Sequence, residues 1–418
     1  MKYKSISGMH DILPGESPKW QFVEQTAREH FALYGHEEIR TPIVEETPLF
    51  ARSVGELTDI VQKEMYTFED KDNLSLTLRP EGTASVVRSA IEHNLINQTS
   101  PDLKVYYLGP MYRRERPQKG RFRQFHQIGA ESFGSKSPYA DAEIIEMLAG
   151  YLNKVGLKDW ALQINSLGCG HERKAYQEKL KGFFAKNEKN FCDDCRQRIK
   201  RNPLRVLDCK NPKCRELSKD HPDILDFLEP ESRAHFESVK KTLDELKVPY
   251  EINPKMVRGL DYYQRTVFEF VSDRLGAQAA IAAGGRYDSL VKDLGGADIP
   301  GVGFAIGIER LLMLIGEPKP IASKKIFVAF LGEAAHARAR EVAFQIRQNG
   351  ISCEIEADEK SLKSQLRKAD KLACTHVIII GEEELKQGMA QVKDFSAKTQ
   401  TNVPLARIVS FFKGDVVD

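Results

Sequence analysis

KVYYLGPMYRRERPQKGRFRQFHQIGAESFG, running from Lys104 to Gly134, reads as two β-strands joined by a long basic loop around a Pro-Gln-Lys-Gly turn. Further strands lie on either side of it in the chain. LSLTLRPEGTASVVRS, ending at Ser89, reads as strand, turn and helix, with Glu81 or Thr83 near the helix start. In RGLDYYQRTVFEF (Arg258 to Phe270), apolar and polar residues alternate from Thr266 to Phe270, the mark of a half-buried strand. AQAAIAAGGRYDSLVKDLGG adds another strand-like run, and IPGVGFAIGIERLLMLIGE a glycine-rich strand running into a helix. Two amphipathic helices frame this set. Trp20, Phe22, Val23, Ala27 and Phe31 mark one that Gly35 ends, and DAEIIEMLAGYLNKVG has the 3.6-residue apolar period of the other. EEIRTPIVEETPLFARSVGE supplies a short strand, Pro42 and a helix, and a proline there fits a sheet edge.

At 418 residues the chain accommodates two or three domains. The stretch from 170 to about 250 is lysine-rich, polar and helical, and reads as an insertion into the β-rich part. After the linker PKPIASKK the pattern changes to β-α-β-α-β over about ninety residues, which predicts a separate domain with a small parallel or mixed sheet. Lys and Arg total 62 against 60 Asp and Glu, so any basic surface is local. No run of about 18 apolar residues exists, and the first residues lack an apolar signal core; the expected location is the cytoplasm. The 7 cysteines are an odd number that suits a reducing compartment. Four of them, Cys192, Cys195, Cys209 and Cys214, cluster in FCDDCRQRIKRNPLRVLDCKNPKC and resemble a structural four-thiolate zinc site, which would leave no position open for substrate. The simpler reading is four ordinary thiols in a polar insertion, the last spacing being wider than the usual two.

Chemistry concentrates in three places. Arg113, Arg114, Arg116, Lys119, Arg121 and Arg123 crowd around Glu115 and are followed by Phe122, Phe125 and His126. A solvated charged hairpin is the plain reading of such a run. Charge beside stacking surface at the mouth of a sheet suits a polyphosphate with an attached base. No GxxxxGK[ST] loop occurs, so arginines rather than a helix-terminus cradle would hold the phosphates. RPEGT (Arg79 to Thr83) presents a carboxylate and a hydroxyl at a turn, although taken alone it reads better as a capping turn, with Thr83 capping the helix. In GFAIGIERLLML, Gly303 and Gly307 permit close strand packing and the leucines are core, which leaves Arg310 unexplained.

In this order the segments resemble the three signature motifs of class II aminoacyl-tRNA synthetases: the helix and strand around Pro42, the strand-loop-strand from Arg113 to Glu131, and the strand ending at Glu309 and Arg310. RGLDYYQRTVFEF and AAGGRYDSLV are similar to two peptides peculiar to the histidyl-tRNA synthetase family, and the likeness extends over essentially the whole chain. The resemblance implies an α+β catalytic domain (1–324) built on an antiparallel β-sheet flanked by helices, followed by an α/β anticodon-binding domain (325–418). It implies a homodimer that takes ATP with Mg²⁺, L-histidine and histidine tRNA. Arg113 and Arg258 would meet the α-phosphate and the carboxylate, and Arg121 and Arg310 the outer phosphates. Phe125 would stack with Arg310 on adenine, Glu115 belonging to the same ATP site. Glu131 and Tyr263 would read the imidazole between Tyr262 and Tyr287, while Glu81, Thr83 and Gln127 hold the ammonium group. Gln127 is also one candidate base for transfer, the phosphate itself being the other. The competing expectation is a catalytically idle, histidine-sensing paralogue that regulates ATP phosphoribosyltransferase. Such proteins lack the second domain.

Overall fold

The computed structural model describes residues 3–56, 58–209, 211–278, 280–317 and 324–413. The chain divides into two compact units, Met1–Pro318 and Lys319–Asp418. Most of the PKPIASKK linker lies outside the described residues.

In the first unit the strands are β1 (Glu37–Glu38), β2 (Val44–Glu46), β3 (Tyr66–Glu69), β4 (Ser75–Leu78), β5 (Leu103–Tyr112), β6 (Gln124–Phe133), β7 (Ala161–Ser166), β8 (Glu251–Ile252), β9 (Gln264–Val271), β10 (Ala280–Arg286) and β11 (Gly301–Gly307). Eight of them form one sheet in the order β1-β5-β6-β11-β10-β9-β7-β8. The six central strands are antiparallel, as the resemblance implies, and a two-residue parallel strand closes each edge. Helices Ser17–Ala32 and Pro138–Lys154 cover one face, where Val23, Phe31, Ile145, Leu148 and Leu152 pack against Tyr106, Ile128, Phe268 and Phe304. Burying that much aliphatic and aromatic surface stabilises this face and leaves the other for the site.

Glycines make part of that second face possible. A Cβ on Gly303 would collide with the Glu131 carboxylate, which lies directly across from it in the β6–β11 register. Gly82 and Gly129 likewise clear the space filled by the Tyr107 ring. The short strands β2, β4 and β3 form a separate three-stranded sheet that carries the turn RPEGT at its end.

Between Gly170 and Glu245 the chain is helical, as expected of the insertion, and its core joins Tyr176, Leu180, Phe184, Cys195 and Ile199 to the region behind the site. The second unit has β12 (Lys325–Phe330), β13 (Ser352–Ile355), β14 (His376–Ile380), β15 (Met389–Asp394) and β16 (Thr399–Pro404) in the order β13-β12-β14-β15-β16. The first three are parallel, and the β15–β16 hairpin that completes the sheet is antiparallel. Alternate residues of β12 serve opposite cores, Ile326, Val328 and Phe330 on one side and Phe327 and Ala329 on the other. No described helix is long and apolar enough to cross a membrane.

Candidate active site

A cavity of about 280 Å³ opens on the uncovered face of the large sheet, between the β5–β6 loop and the segment before β9. Glu81, Thr83, Arg113, Glu115, Arg121, Phe125, Gln127, Arg258, Tyr262, Tyr263 and Arg310 all line it, although they come from four separate stretches of sequence. Glu131 and Tyr287 stand just behind this lining, each about 1% exposed.

The inner end is acidic and aromatic. Glu81 ends the turn after β4, and its carboxylate accepts the backbone N–H groups of Thr83 and Ala84 at 2.8 Å each. The helix Thr83–Glu92 is therefore capped by Glu81, and the expectation that Thr83 caps it is corrected: Thr83 is already the first helical residue, and its hydroxyl faces the sheet. There Thr83 Oγ1 donates to Glu131 Oε1 at 2.7 Å, while Tyr287 Oη donates to Glu131 Oε2 in a short contact. Burial pushes the Glu131 carboxyl up to about 8 in spite of these two donors, and it raises Glu81 as well. Tyr262 and Tyr263 pack with ring centroids 4.6 Å apart, and burial moves the Tyr263 hydroxyl up to about 12. Gln127 Oε1 is buried here without a hydrogen-bond partner. An unsatisfied buried acceptor at a cavity wall is costly unless a ligand supplies the donor.

The outer end is cationic. Arg113 donates its Nε to Pro80 O at 2.9 Å and lies over the Phe125 ring at 5.2 Å. Arg310 is held by Gly120 O at 3.0 Å and Ala280 O at 2.8 Å. Among the described residues no carboxylate forms an ion pair with Arg113 or Arg310, so both keep charge available for an anion. Arg121 is paired with Glu115 at 2.8 Å. Burial lowers the pKa of Arg310, and the Arg121 cation nearby acts in the same direction, with Glu115 opposing it.

Arg258 stands between the two ends. It pairs closely with Glu269 of β9 and lies 5.5 Å from the Tyr263 ring centroid, while its Nε is buried without a partner. Sequence reading missed Glu269, because strand alternation marks it only as a polar-face residue. It also missed two arginines of the insertion. Arg173 Nη1 donates to Asp261 O at 3.2 Å and Tyr263 O at 2.7 Å, and Arg205 Nη2 donates to Gly259 O at 2.8 Å. No sequence signal marks these, since their targets are mostly main-chain atoms and the one side-chain partner, Asp261 for Arg205, lies 56 residues away. His126 was read as stacking surface; its ring and backbone N–H both meet the Glu309 carboxylate. The four cysteines are brought together, with all ligand sulfurs within 4.8 Å of one another.

Comparison with known proteins agrees with this geometry. A family model described as histidyl-tRNA synthetase matches residues 8–172 and 196–311, and an anticodon binding domain model matches 325–415. The chain is 49% identical over 413 residues to the histidine–tRNA ligase of Syntrophotalea carbinolica, covering 98% of this chain and 97% of that protein. It is 50% identical over 400 residues to that of Geobacter sulfurreducens, covering 96% and 97%. Among solved structures, the apo histidyl-tRNA synthetase of S. aureus superposes with a TM-score of 0.83 at 38% identity, covering 98% of this chain and all of that one. The class II synthetase fold, with its central antiparallel sheet and C-terminal α/β anticodon-binding domain, and the sequence motifs thus lead to one place: the chain belongs to the histidyl-tRNA synthetase family.

Proposed function

We propose that the cavity joins L-histidine to ATP and then delivers the histidyl group to the 3′ end of histidine tRNA. The carrying observation is the polarity of the cavity, with acceptors and tyrosines at one end and, at the other, Arg113 and Arg310, which form no ion pair among the described residues. In the first step a histidine carboxylate oxygen bonds to the α-phosphorus, and pyrophosphate leaves. Two anions meet there, so fixed cations lower the barrier most. Arg113 and Arg258 would flank the α-phosphate, Arg121 and Arg310 the outer phosphates, and Phe125 with Arg310 the adenine. Arg258 would do so by exchanging Glu269 for the reacting anions. Mg²⁺ bound with the nucleotide would supply further neutralisation of the β- and γ-phosphates, and Glu115, paired with Arg121, would belong to the same ATP site.

Selection of histidine needs a partner for each imidazole nitrogen, since shape alone separates similar side chains by only about 1–3 kcal/mol. Glu131 and Tyr263 would provide that pair, walled by Tyr262 and Tyr287, and binding exchanges the Thr83 hydroxyl on Glu131 for an imidazole N–H. The orphaned Gln127 Oε1, with Glu81 and Thr83, would take the α-ammonium group. In the second step the tRNA hydroxyl attacks the histidyl carbonyl and AMP leaves. No protein side chain is acylated. Gln127 or the phosphate itself accepts the proton.

Catalysis is assigned to residues 1–324 and anticodon reading to 325–418. Homodimerisation is supported by the apolar side chains Ile43, Val44, Phe68 and Leu74, which stand exposed on and beside the three-stranded sheet. The cytoplasm is the proposed compartment, in keeping with the free cysteines. The thiols at 192, 195, 209 and 214 would hold a structural zinc ion; three are buried, and a tetrahedral tetrathiolate spaces its sulfurs about 3.8 Å apart, close to the 4.0 Å between Cys192 and Cys209. The regulatory reading is not favoured, given near-half identity to curated ligases and the second domain. Histidine-dependent exchange of pyrophosphate into ATP by the purified chain tests the proposal; no exchange with histidine present would end it.

A further inference from the structure

The segment from Asn253 to Tyr263 has neither helix nor strand, yet Arg258, Gly259, Leu260, Tyr262 and Tyr263 line the cavity. A loop that must present several side chains at fixed positions needs its backbone held, because free loop residues each carry about 1–2 kcal/mol of conformational entropy. Here the holding groups come from the insertion. Gly259 O accepts from Arg205, and Asp261 O and Tyr263 O accept from Arg173. Arg205 Nη2 also donates to Asp261 Oδ1 at 3.1 Å, and that aspartate anchors its own N–H on Val54 O.

Arg205 lies on the one-turn helix Leu204–Leu207, which has little cohesion of its own. Its Leu204 and Val206 are buried in the same core as Cys195, Cys209 and Cys214, and the turn sits between the cysteine pairs. Cys192 and Cys195 precede it, and Cys209 follows within four residues of Arg205. Cys192 N donates to Cys214 Sγ at 3.4 Å, and Arg215 Nε donates to Cys209 O at 3.1 Å, tying the next turn to the same knot. Arg198, three residues after Cys195, donates to Arg205 O at 3.4 Å and to Asp59 Oδ2 at 3.1 Å. The first cysteine pair falls between the two stretches that the family model matches.

We propose that zinc bound by Cys192, Cys195, Cys209 and Cys214 sets the position of Arg205, which acts as a positioning residue by clamping Gly259 and Asp261 so that the 258–263 loop presents the histidine pocket. The inference rests on the zinc and histidine-site readings given above. Its consequence is selective: loss of metal or of Arg205 weakens histidine binding and leaves ATP binding nearly intact, because Arg113, Phe125 and Arg310 hang on other elements.

The test uses the full chain in pyrophosphate exchange, with zinc content measured on the same samples. Arg205→Ala is expected to raise the KM for histidine about 10-fold, to move the KM for ATP by less than about two-fold, and to retain about one zinc per chain. Arg205→Lys, which keeps the charge facing Asp261, is expected to fall between. Cys209→Ser is expected to lose the metal and reproduce the histidine effect, and the double variant to be no worse than either single one. A histidine KM unchanged in Arg205→Ala overturns the clamp, as does equal loss of histidine and ATP binding. Cys209→Ser that loses zinc with histidine KM unchanged overturns the coupling. Wild-type protein with less than about 0.2 zinc per chain defeats the zinc reading, while Arg205→Ala still decides the clamp. Absence of exchange in the wild type would instead strike the proposed function itself.

Discussion

Replacing Glu131 by glutamine probes how the inner end of the cavity is built. The carboxyl is 1% exposed, takes hydrogen bonds from Thr83 and Tyr287, and has its pKa raised by burial from 4.5 to about 8. Between those two values the folded chain keeps a proton that the unfolded chain has released. Stability from this group is therefore fully present below pH 4.5, declines as pH rises, and is lost by pH 8. Each pH unit in that window changes stability by about 1.4 kcal/mol, so the loss between pH 5 and 7 is about 3 kcal/mol and the whole window about 5 kcal/mol. Glu131→Gln keeps a carbonyl acceptor for Thr83 and has no such slope. Its unfolding free energy relative to the parent is expected to shift by about 3 kcal/mol in the variant's favour from pH 5 to pH 7. Urea unfolding at a series of pH values, followed by tryptophan fluorescence, measures this, because Trp20 and Trp160 both belong to the first unit. Parallel stability profiles for the two proteins would refute the account of a neutral, buried carboxyl.

Further outcomes follow from the same geometry. Tyr263→Phe is expected to raise the histidine KM about 10-fold with the ATP KM unchanged, as steady-state exchange kinetics would record. Arg113→Ala removes a cation that has no ion pair among the described residues and is expected to lower the exchange rate about 10²–10³-fold at saturating substrates, with circular dichroism unchanged. Gly303→Ala drives a methyl into the Glu131 carboxylate and Ala130 O, so a loss of about 1–3 kcal/mol is expected by urea denaturation, together with weaker histidine binding.

Much of the scaffold is legible in the sequence because the physics that sets it is local. The helix Pro138–Lys154 follows from its 3.6-residue apolar period, and β5 and β6 from strand-like runs on either side of the Pro-Gln-Lys-Gly turn. β9 forms where expected, but Thr266, Val267, Phe268 and Phe270 are all buried, so this central strand is covered on both faces and not half-buried. The final hairpin was not legible. Met389–Asp394 and Thr399–Pro404 are mixed or polar, and all but Val403 of the last strand are exposed, so an edge hairpin leaves almost no period. At the site, side chains with charge and no core role were visible as candidates, and Arg113, Arg258 and Arg310 do converge on one cavity. What pairs with them was not visible. Glu269 reaches Arg258 only because β9 follows the loop in register, and the Arg205–Asp261 contact spans more than fifty residues. Asp261 and Arg265, which no pattern in RGLDYYQRTVFEF explains, are both held by groups of the insertion: Asp261 by Arg173 and Arg205, Arg265 by Glu231 and the His235 ring.

The central claim is that Arg258, released from Glu269, meets the reacting anions of histidine and ATP. Pyrophosphate exchange by Arg258→Ala, measured with saturating histidine and ATP beside the wild-type chain, tests it most directly. The account predicts histidine-dependent exchange in the wild type and a fall of about 10²-fold or more in the variant. Exchange in Arg258→Ala at the wild-type rate would contradict it.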